Sequence, residues 1–283
     1  MHTTLRSRSN EIVIGHDQPF CLIGERINPT GRKKFQEQLR AGDLSQVDVD
    51  VNAQVAGGAT MLDVNMGLPL VDEAALLSKV IVRIQGLTDL PLCIDSSVPE
   101  ALEAGLEAYE GKALVNSVTG EDDRMEAILP LVRRHEAAVV ALANDENGIP
   151  ETPEKRLEIT RKIIHVATER YGMPIEDIVI DPLAMTVGAD TDAVNITLET
   201  ISRIREEFGV NMTMGASNVS FGLPNRHAIN AAFLPMAMSH GLTSAVMDAR
   251  TPAIVQAVKA ADLLLGHDPW GSSWISQYRN QQG

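Results

Sequence analysis

Asp177-Ile178-Val179-Ile180-Asp181-Pro182 and Gly215-Ala216-Ser217-Asn218-Val219-Ser220 mark the ends of two short apolar runs. Ile178-Val179-Ile180 stops at Asp181-Pro182, and Met212-Thr213-Met214 stops at Ser217-Asn218. The arrangement recurs upstream. Met61-Leu62 ends at Asp63-Val64-Asn65, Leu92-Cys93-Ile94 at Asp95-Ser96-Ser97, and Ala113-Leu114-Val115 at Asn116-Ser117. A buried strand that repeatedly finishes in a carboxylate or an amide is the pattern of a parallel barrel with its polar site at one mouth.

Outward from these runs the alternation is unbroken. Strands are expected at 20–23, 60–65, 92–95, 113–116, 137–143, 178–181, 211–216 and 244–248. Helical spacing and start signals, such as Pro99, Thr152-Pro153 and Pro252, place a helix after each one. Gly57-Gly58, Gly111, Gly172, Gly209, Gly241 and Gly266 supply stops. Strands and helices in strict succession, joined by right-handed crossovers, build an α/β fold of the (β/α)8 TIM-barrel kind. An open doubly wound sheet normally carries a glycine-rich nucleotide loop after its first strand, and no G-x-G-x-x-G or Walker-type run occurs.

The length of 283 residues suits one such barrel, which usually needs about 250. With 44% hydrophobic and 22% charged residues the chain is not of the disordered class. A net charge of -14 argues against a general binder of nucleic-acid backbones, while helix N-termini still leave room for a small anion. No apolar run reaches the roughly 20 residues of a membrane span, and the N-terminus lacks an apolar signal core. A cytoplasmic protein is expected. Cys21 and Cys93 lie inside apolar runs and read as buried free thiols. Residues 1–18 read as a polar arm and 19–283 as a single domain, with Trp270 and Trp274 in a tail expected to cap the barrel base.

The chemistry is narrowed by what the motifs omit. There is no G-x-S-x-G elbow and no H-E-x-x-H or paired Cys/His set, and the seven histidines are scattered. Asp63, Asp95 and Asp181 by themselves suit magnesium. Their neighbours Asn65, Asn116 and Asn218 add donors to acceptors, a mixture that fits a polar heterocycle better than a hard cation, so no metal is expected. A carboxylate accepts two parallel N–H groups from an amino-pyrimidinone edge, and such charge-assisted bonds are the stronger ones. A polar edge buried without partners costs about 1–3 kcal/mol per group, so the site discriminates for that ring system. The competing role for any one of these residues is to cap the following helix. Six of them at successive strand ends outweigh that role. Glu25, Arg26 and Asn28, in the loop after the first strand, end it in the same style.

Ile23-Gly24-Glu25-Arg26-Ile27-Asn28-Pro29-Thr30-Gly31, Leu62-Asp63-Val64-Asn65, Cys93-Ile94-Asp95-Ser96, Val115-Asn116-Ser117, Ile180-Asp181-Pro182 and the run from Ser217-Asn218-Val219-Ser220 to Pro224-Asn225-Arg226 resemble the pterin-binding methyltransferase family. Its members are the methyltetrahydrofolate:corrinoid protein methyltransferases and the folate module of cobalamin-dependent methionine synthase. The resemblance covers residues 20–275. It implies a dihydropteroate-synthase-like barrel in which Asp95, Asn116 and Asp181 hold the pterin edge. Asp63 and Asn65 line the same pocket, Glu25 and Asn28 sit at its rim, and Asn218 acts near nitrogen 5. It also implies tetrahydrofolate or 5-methyltetrahydrofolate as substrate, a cobalamin-type corrinoid carried by a partner protein, and a homodimer. No Asp-x-His-x-x-Gly corrinoid signature is present, so the cobalt is expected to come with that partner. Dihydropteroate synthase itself is a more distant relative, and its Ser-Arg-Lys ending on the seventh strand is replaced here by Ser217-Asn218-Val219. Pterin synthesis of that type and a non-catalytic folate carrier are the alternative readings.

Overall fold

The computed structural model describes residues 1–282, with the side chains of 277 and 280–282 outside the described set. The chain opens with an antiparallel pair, β1 (His2–Arg6) and β2 (Glu11–Gly15). The barrel follows as β3 (Cys21–Ile27), α1 (Lys33–Arg40), α2 (Ser45–Gly57), β4 (Met61–Asn65), α3 (Glu73–Gln85), β5 (Leu92–Asp95), α4 (Pro99–Ala108), β6 (Leu114–Thr119), α5 (Asp122–Arg134), β7 (Ala138–Leu142), α6 (Pro153–His165), β8 (Ile178–Asp181), α7 (Ala193–Phe208), α8 (Arg226–His240), β9 (Ser244–Met247) and α9 (Pro252–Leu265). A last helix, α10, spans Ser272–Gln282.

The parallel sheet runs in the order β8-β7-β6-β5-β4-β3-β9. The expected strand at 211–216 is not a regular ladder member, yet it closes the ring. Ile180 N–H donates to the Asn211 carbonyl at 2.9 Å and Thr213 N–H to the Ile180 carbonyl at 3.0 Å. On its other side Ser244 and Val246 donate to the carbonyls of Met212 and Met214 at 3.0 and 2.9 Å. Thr243 Oγ1 accepts the Met212 N–H at 2.9 Å, so a side chain replaces a backbone partner and breaks the regular pattern.

Strand alternation sorts the core into two parts. Leu62, Val64, Ile94, Val115, Val139 and Ile180 face outward and pack under the helices. Cys21, Ile23, Met61, Cys93, Leu114, Val140 and Val179 fill the barrel interior. Both cysteines are buried free thiols.

The polar arm expected at 1–18 is instead the β1–β2 hairpin, and it closes the barrel base. Leu5 and Ile14 are fully buried in the interior cluster. Asn211 Nδ2 donates to Thr3 Oγ1 at 2.9 Å and to the Ile14 carbonyl at 2.8 Å, and Tyr109 Oη donates to the Arg6 carbonyl at 2.8 Å. The open end of a barrel exposes apolar side chains, and two inward residues of a short hairpin cover them. The tail does not play that part. Trp270 is 98% exposed and Trp274 36%.

Candidate active site

Inward positions at the C-terminal ends of β4, β5 and β6 stand in register. Asn65 pairs with Asp95, and Asp95 with Asn116. Asn65 Nδ2 donates to Asp95 Oδ2 at 3.0 Å, and Asn116 Nδ2 to Asp63 Oδ1 at 3.2 Å. Each amide thereby orients a carboxylate. A register shift between Asn116 and Val118 on β6 interrupts the ladder at the mouth, where such bulges re-aim side chains.

These residues open into a cavity of about 510 Å³. Glu25, Asn28, Asp63, Asp95, Asn116, Asp181 and Asn218 all line it. Asn65, the remaining residue expected at the site, does not. Its Oδ1 accepts the Gly67 N–H at 2.9 Å while its amide nitrogen holds Asp95, so it stands behind the carboxylate.

The carboxyl groups are poised by burial. Burial pushes Asp181 up to about 7 from an ordinary 3.8, tempered by the Leu183 N–H and the Arg156 charge. Asp95 is pushed up to about 6, again by burial, against the Asn65 hydrogen bond. Asp63, only 3% exposed, is held well above the carboxylate range by burial and by neighbouring Asp95. Glu25 is raised by burial and by Asp248. Each of these groups gains by meeting N–H donors, which favour the charged form.

Arg156 on α6 is a contributor the sequence reading passed over. It is 2% exposed, and its Nη1 donates to the carbonyls of Pro182 and Leu183, both at 2.8 Å. Leu183 sits at φ 67, a left-handed conformation that costs a branched residue roughly 1–3 kcal/mol. Its N–H donates to Asp181 Oδ1 at 2.8 Å. The buried guanidinium thus clamps the turn that aims Asp181.

Asn218 lies in a 3-10 turn, Ala216–Ser220. Arg226 fixes that turn, with Nη2 donating to the Ser217 carbonyl at 2.6 Å and Nε to Ser220 Oγ at 3.1 Å. The Asn218 side chain is exposed to the cavity mouth, and its amide makes no hydrogen bond among the described residues. A Cβ on Gly215 would lie 3.2 Å from Asn218 Nδ2, so glycine keeps that space open. Thr213 also lines the cavity; it is 1% exposed and its Oγ1 has no partner among the described residues. A lone polar residue between Met212 and Met214 was the available signal for it. Ser217, whose Oγ donates to Glu25 Oε2 at 3.4 Å, and Arg26 complete the polar wall.

Gln54 on α2, which is fully buried, packs behind Gly24 of β3, the strand that carries Glu25 and Arg26, and holds the segment that follows β9. Its Nε2 donates to Asp248 Oδ1 at 2.8 Å and its Oε1 accepts the Ala249 N–H at 3.0 Å. Gly24 makes this possible, since a Cβ there would stand 2.7 Å from Gln54 Oε1. The assembled site is a polar, acceptor-rich array with an unengaged amide at its edge, suited to a flat ring bearing several N–H groups.

A family model described as pterin binding enzyme matches residues 24–248. The methylcorrinoid:tetrahydrofolate methyltransferase of Eubacterium limosum is 35% identical over 256 residues, covering 88% of this chain and 92% of that one. The methionine synthase of Mycobacterium tuberculosis is 34% identical over 250 residues, covering 84% of this chain and 21% of that much longer protein. Among solved structures, the Yersinia pestis DHPS with a pterine-sulfa conjugate superposes with a TM-score of 0.71 at 16% identity, covering 93% and 98% of the two chains. The Xanthomonas albilineans dihydropteroate synthase in complex with 7,8-dihydropteroate gives 0.67 at 20% identity, covering 89% and 95%. At such identities the structural likeness establishes the barrel fold.

Proposed function

Because the chain belongs to the pterin-binding enzyme family, we propose that it is a methyltransferase moving a methyl group between nitrogen 5 of tetrahydrofolate and the cobalt of a corrinoid on a separate protein. The observation that carries this reading is the convergence of Asp95, Asn116, Asp181 and Asn218 on one cavity at the barrel mouth. The relative from Eubacterium limosum, matched over nearly its whole length, supports the methyl-transfer chemistry.

In this reading Asp95, Asn116 and Asp181 hold the amino-pyrimidinone edge. Asp63, hydrogen-bonded by Asn116, stiffens that array from below, and Asn65 orients Asp95. Glu25 and Asn28 line the rim. A cobalamin-type corrinoid, brought by the partner, would supply the cobalt centre that accepts the methyl group in one direction and gives it up in the other. The chain's own task is at nitrogen 5. As the carbon–nitrogen bond breaks, its electron pair returns to nitrogen 5, which takes up a proton from solvent, and the unengaged Asn218 amide donates a hydrogen bond there as charge develops. A donor that meets charge only in the transition state accelerates the chemical step more than it strengthens binding.

Synthesis of the dihydropteroate type is disfavoured by Ser217-Asn218-Val219, which offers no cation where a diphosphate would need one. A homodimer and a cytoplasmic location accompany the proposal. The exposed apolar residues Leu264 and Trp270 support self-association, which sedimentation tests. The deciding experiment mixes the protein, 5-methyltetrahydrofolate and cob(I)alamin, free or protein-bound, and follows the cobalt spectrum. Methylcobalamin formation is expected. Binding of the folate without any methyl transfer would instead make this a folate carrier, and product from pterin diphosphate and p-aminobenzoate would make it a synthase.

A further inference from the structure

β3 carries its mouth residues on a bulge. Ile23 and Gly24 pair with Met61 and Leu62, but Ile27 pairs with Val64, so Glu25 and Arg26 together stand opposite Asp63. Regular alternation sends one of two neighbouring side chains under the helices. One extra residue cancels that rule. Glu25 and Arg26 accordingly both line the main cavity and a second one of about 520 Å³ that continues along α8, while Ile27 is fully buried in the outer core.

A bulge is a break in the ladder, so contacts outside the ladder must hold it. Arg32, the residue before α1, reaches back to do so. Its Nη1 donates to the Arg26 carbonyl and to Asp50 Oδ2, both at 2.7 Å, and its Nη2 to Asp50 Oδ1 at 3.2 Å. Asp50 on α2 is 1% exposed and also accepts from Gln46 Nε2 at 3.2 Å. The guanidinium lies 4.7 Å over the Phe35 ring. Desolvation offsets much of the attraction in a buried ion pair. What this pair supplies is a fixed place for a planar fork, which only arginine presents.

The bulge in turn meets the turn that presents Asn218. Ser217 Oγ donates to Glu25 Oε2 at 3.4 Å, and Ser217 directly precedes Asn218. A chain of contacts thus runs from Asp50 through Arg32, the Arg26 carbonyl and Glu25 to Ser217. Asp95, Asn116 and Asp181 stand on other strands, outside it. We propose that Arg32, locked by Asp50, is a positioning residue for methyl transfer, holding the β3 bulge so that Glu25 braces the Asn218 turn. The inference rests on the methyltransferase reading and adds to it a residue that lines neither cavity.

The test measures single-turnover methyl transfer from 5-methyltetrahydrofolate to cob(I)alamin beside equilibrium binding of the folate. Arg32→Lys keeps a positive charge against Asp50, so the fold is kept, but it loses the fork. Its transfer rate is expected to fall about tenfold and that of Arg32→Ala about 10²-fold, the scale of a small misplacement of reacting groups. Folate affinity should change by less than about twofold in both. The Arg32 side chain is 19% exposed, so its removal leaves a hole open to solvent. Millimolar guanidinium ion should restore the Arg32→Ala rate at least about fivefold, whereas urea, of similar shape but uncharged, should not, because Asp50 requires a cation. Combined with Glu25→Gln, the Arg32→Ala loss should not add, since the one residue acts through the other. Unchanged rates in both variants, equal losses of rate and affinity, or additive losses in the double variant overturn the positioning role. Absence of transfer by wild-type protein that binds the folate overturns the methyltransferase reading itself, and this role with it.

Discussion

Asn218 and Asp181 divide the work of the mouth at the level of single residues. Asn218 has a side-chain amide free of hydrogen bonds among the described residues, on a turn held by Arg226, so its removal should leave the pocket standing. Asn218→Ala is expected to lower the methyl-transfer rate about 10²–10³-fold, the range for loss of one transition-state donor, with a much smaller change in folate affinity. Single-turnover kinetics beside equilibrium binding separates the two, and parallel losses would make Asn218 an ordinary ligand. Asp181 behaves differently because burial raises it to about 7. A folded-state value above the unfolded one means that the folded protein holds the proton more tightly. The contribution of Asp181 to stability is therefore full below 3.8 and is lost as pH rises through about 7. Asp181→Asn removes this loss. The ligand-free variant should melt higher than wild type at pH 8, the gap should close toward pH 4, and folate binding should weaken. A pH-independent gap in the thermal melts would show that Asp181 is not buried against water as described.

The β1–β2 hairpin shows how an element changes the meaning of its residues. Its first strand reads His2-Thr3-Thr4-Leu5-Arg6, which looks solvated. Only pairing with Glu11–Gly15 aligns the inward side chains over the barrel base. The available signal was Ile12-Val13-Ile14 before Gly15, a second short run separated from the first by Ser7-Arg8-Ser9-Asn10. Ile14 is fully buried there, so Ile14→Ala should cost about 2–5 kcal/mol. Urea unfolding measures this, and a change near zero would return the segment to the status of a loose arm. Arg156 makes a related point for α6. A helical arginine ordinarily reads as a solvent-facing charge, and nothing local marks it as the clamp on Pro182 and Leu183.

For the whole molecule, the strand ends were legible because a barrel strand must keep its inner and outer faces apolar until it emerges. The abrupt change from Ile178-Val179-Ile180 to Asp181 is a local record of that exit. Seven of the eight residues expected at the site do line the one cavity, and the eighth, Asn65, orients Asp95 from behind. The spacing of strands and helices was legible for the same reason, since burial imposes its period on the chain directly. By itself the sequence determined the alternating order of elements, the polar set at their C-terminal ends and the family to which that set points. Tertiary structure alone decided which amide serves which carboxylate, that Arg156 turns inward, that a hairpin closes the base, and that a second cavity joins the first along α8. Those outcomes depend on contacts between residues far apart in the chain, such as Gln54 with Asp248 and Thr3 with Asn211. No local period records such pairings, because the energy that selects them exists only once the ring has closed.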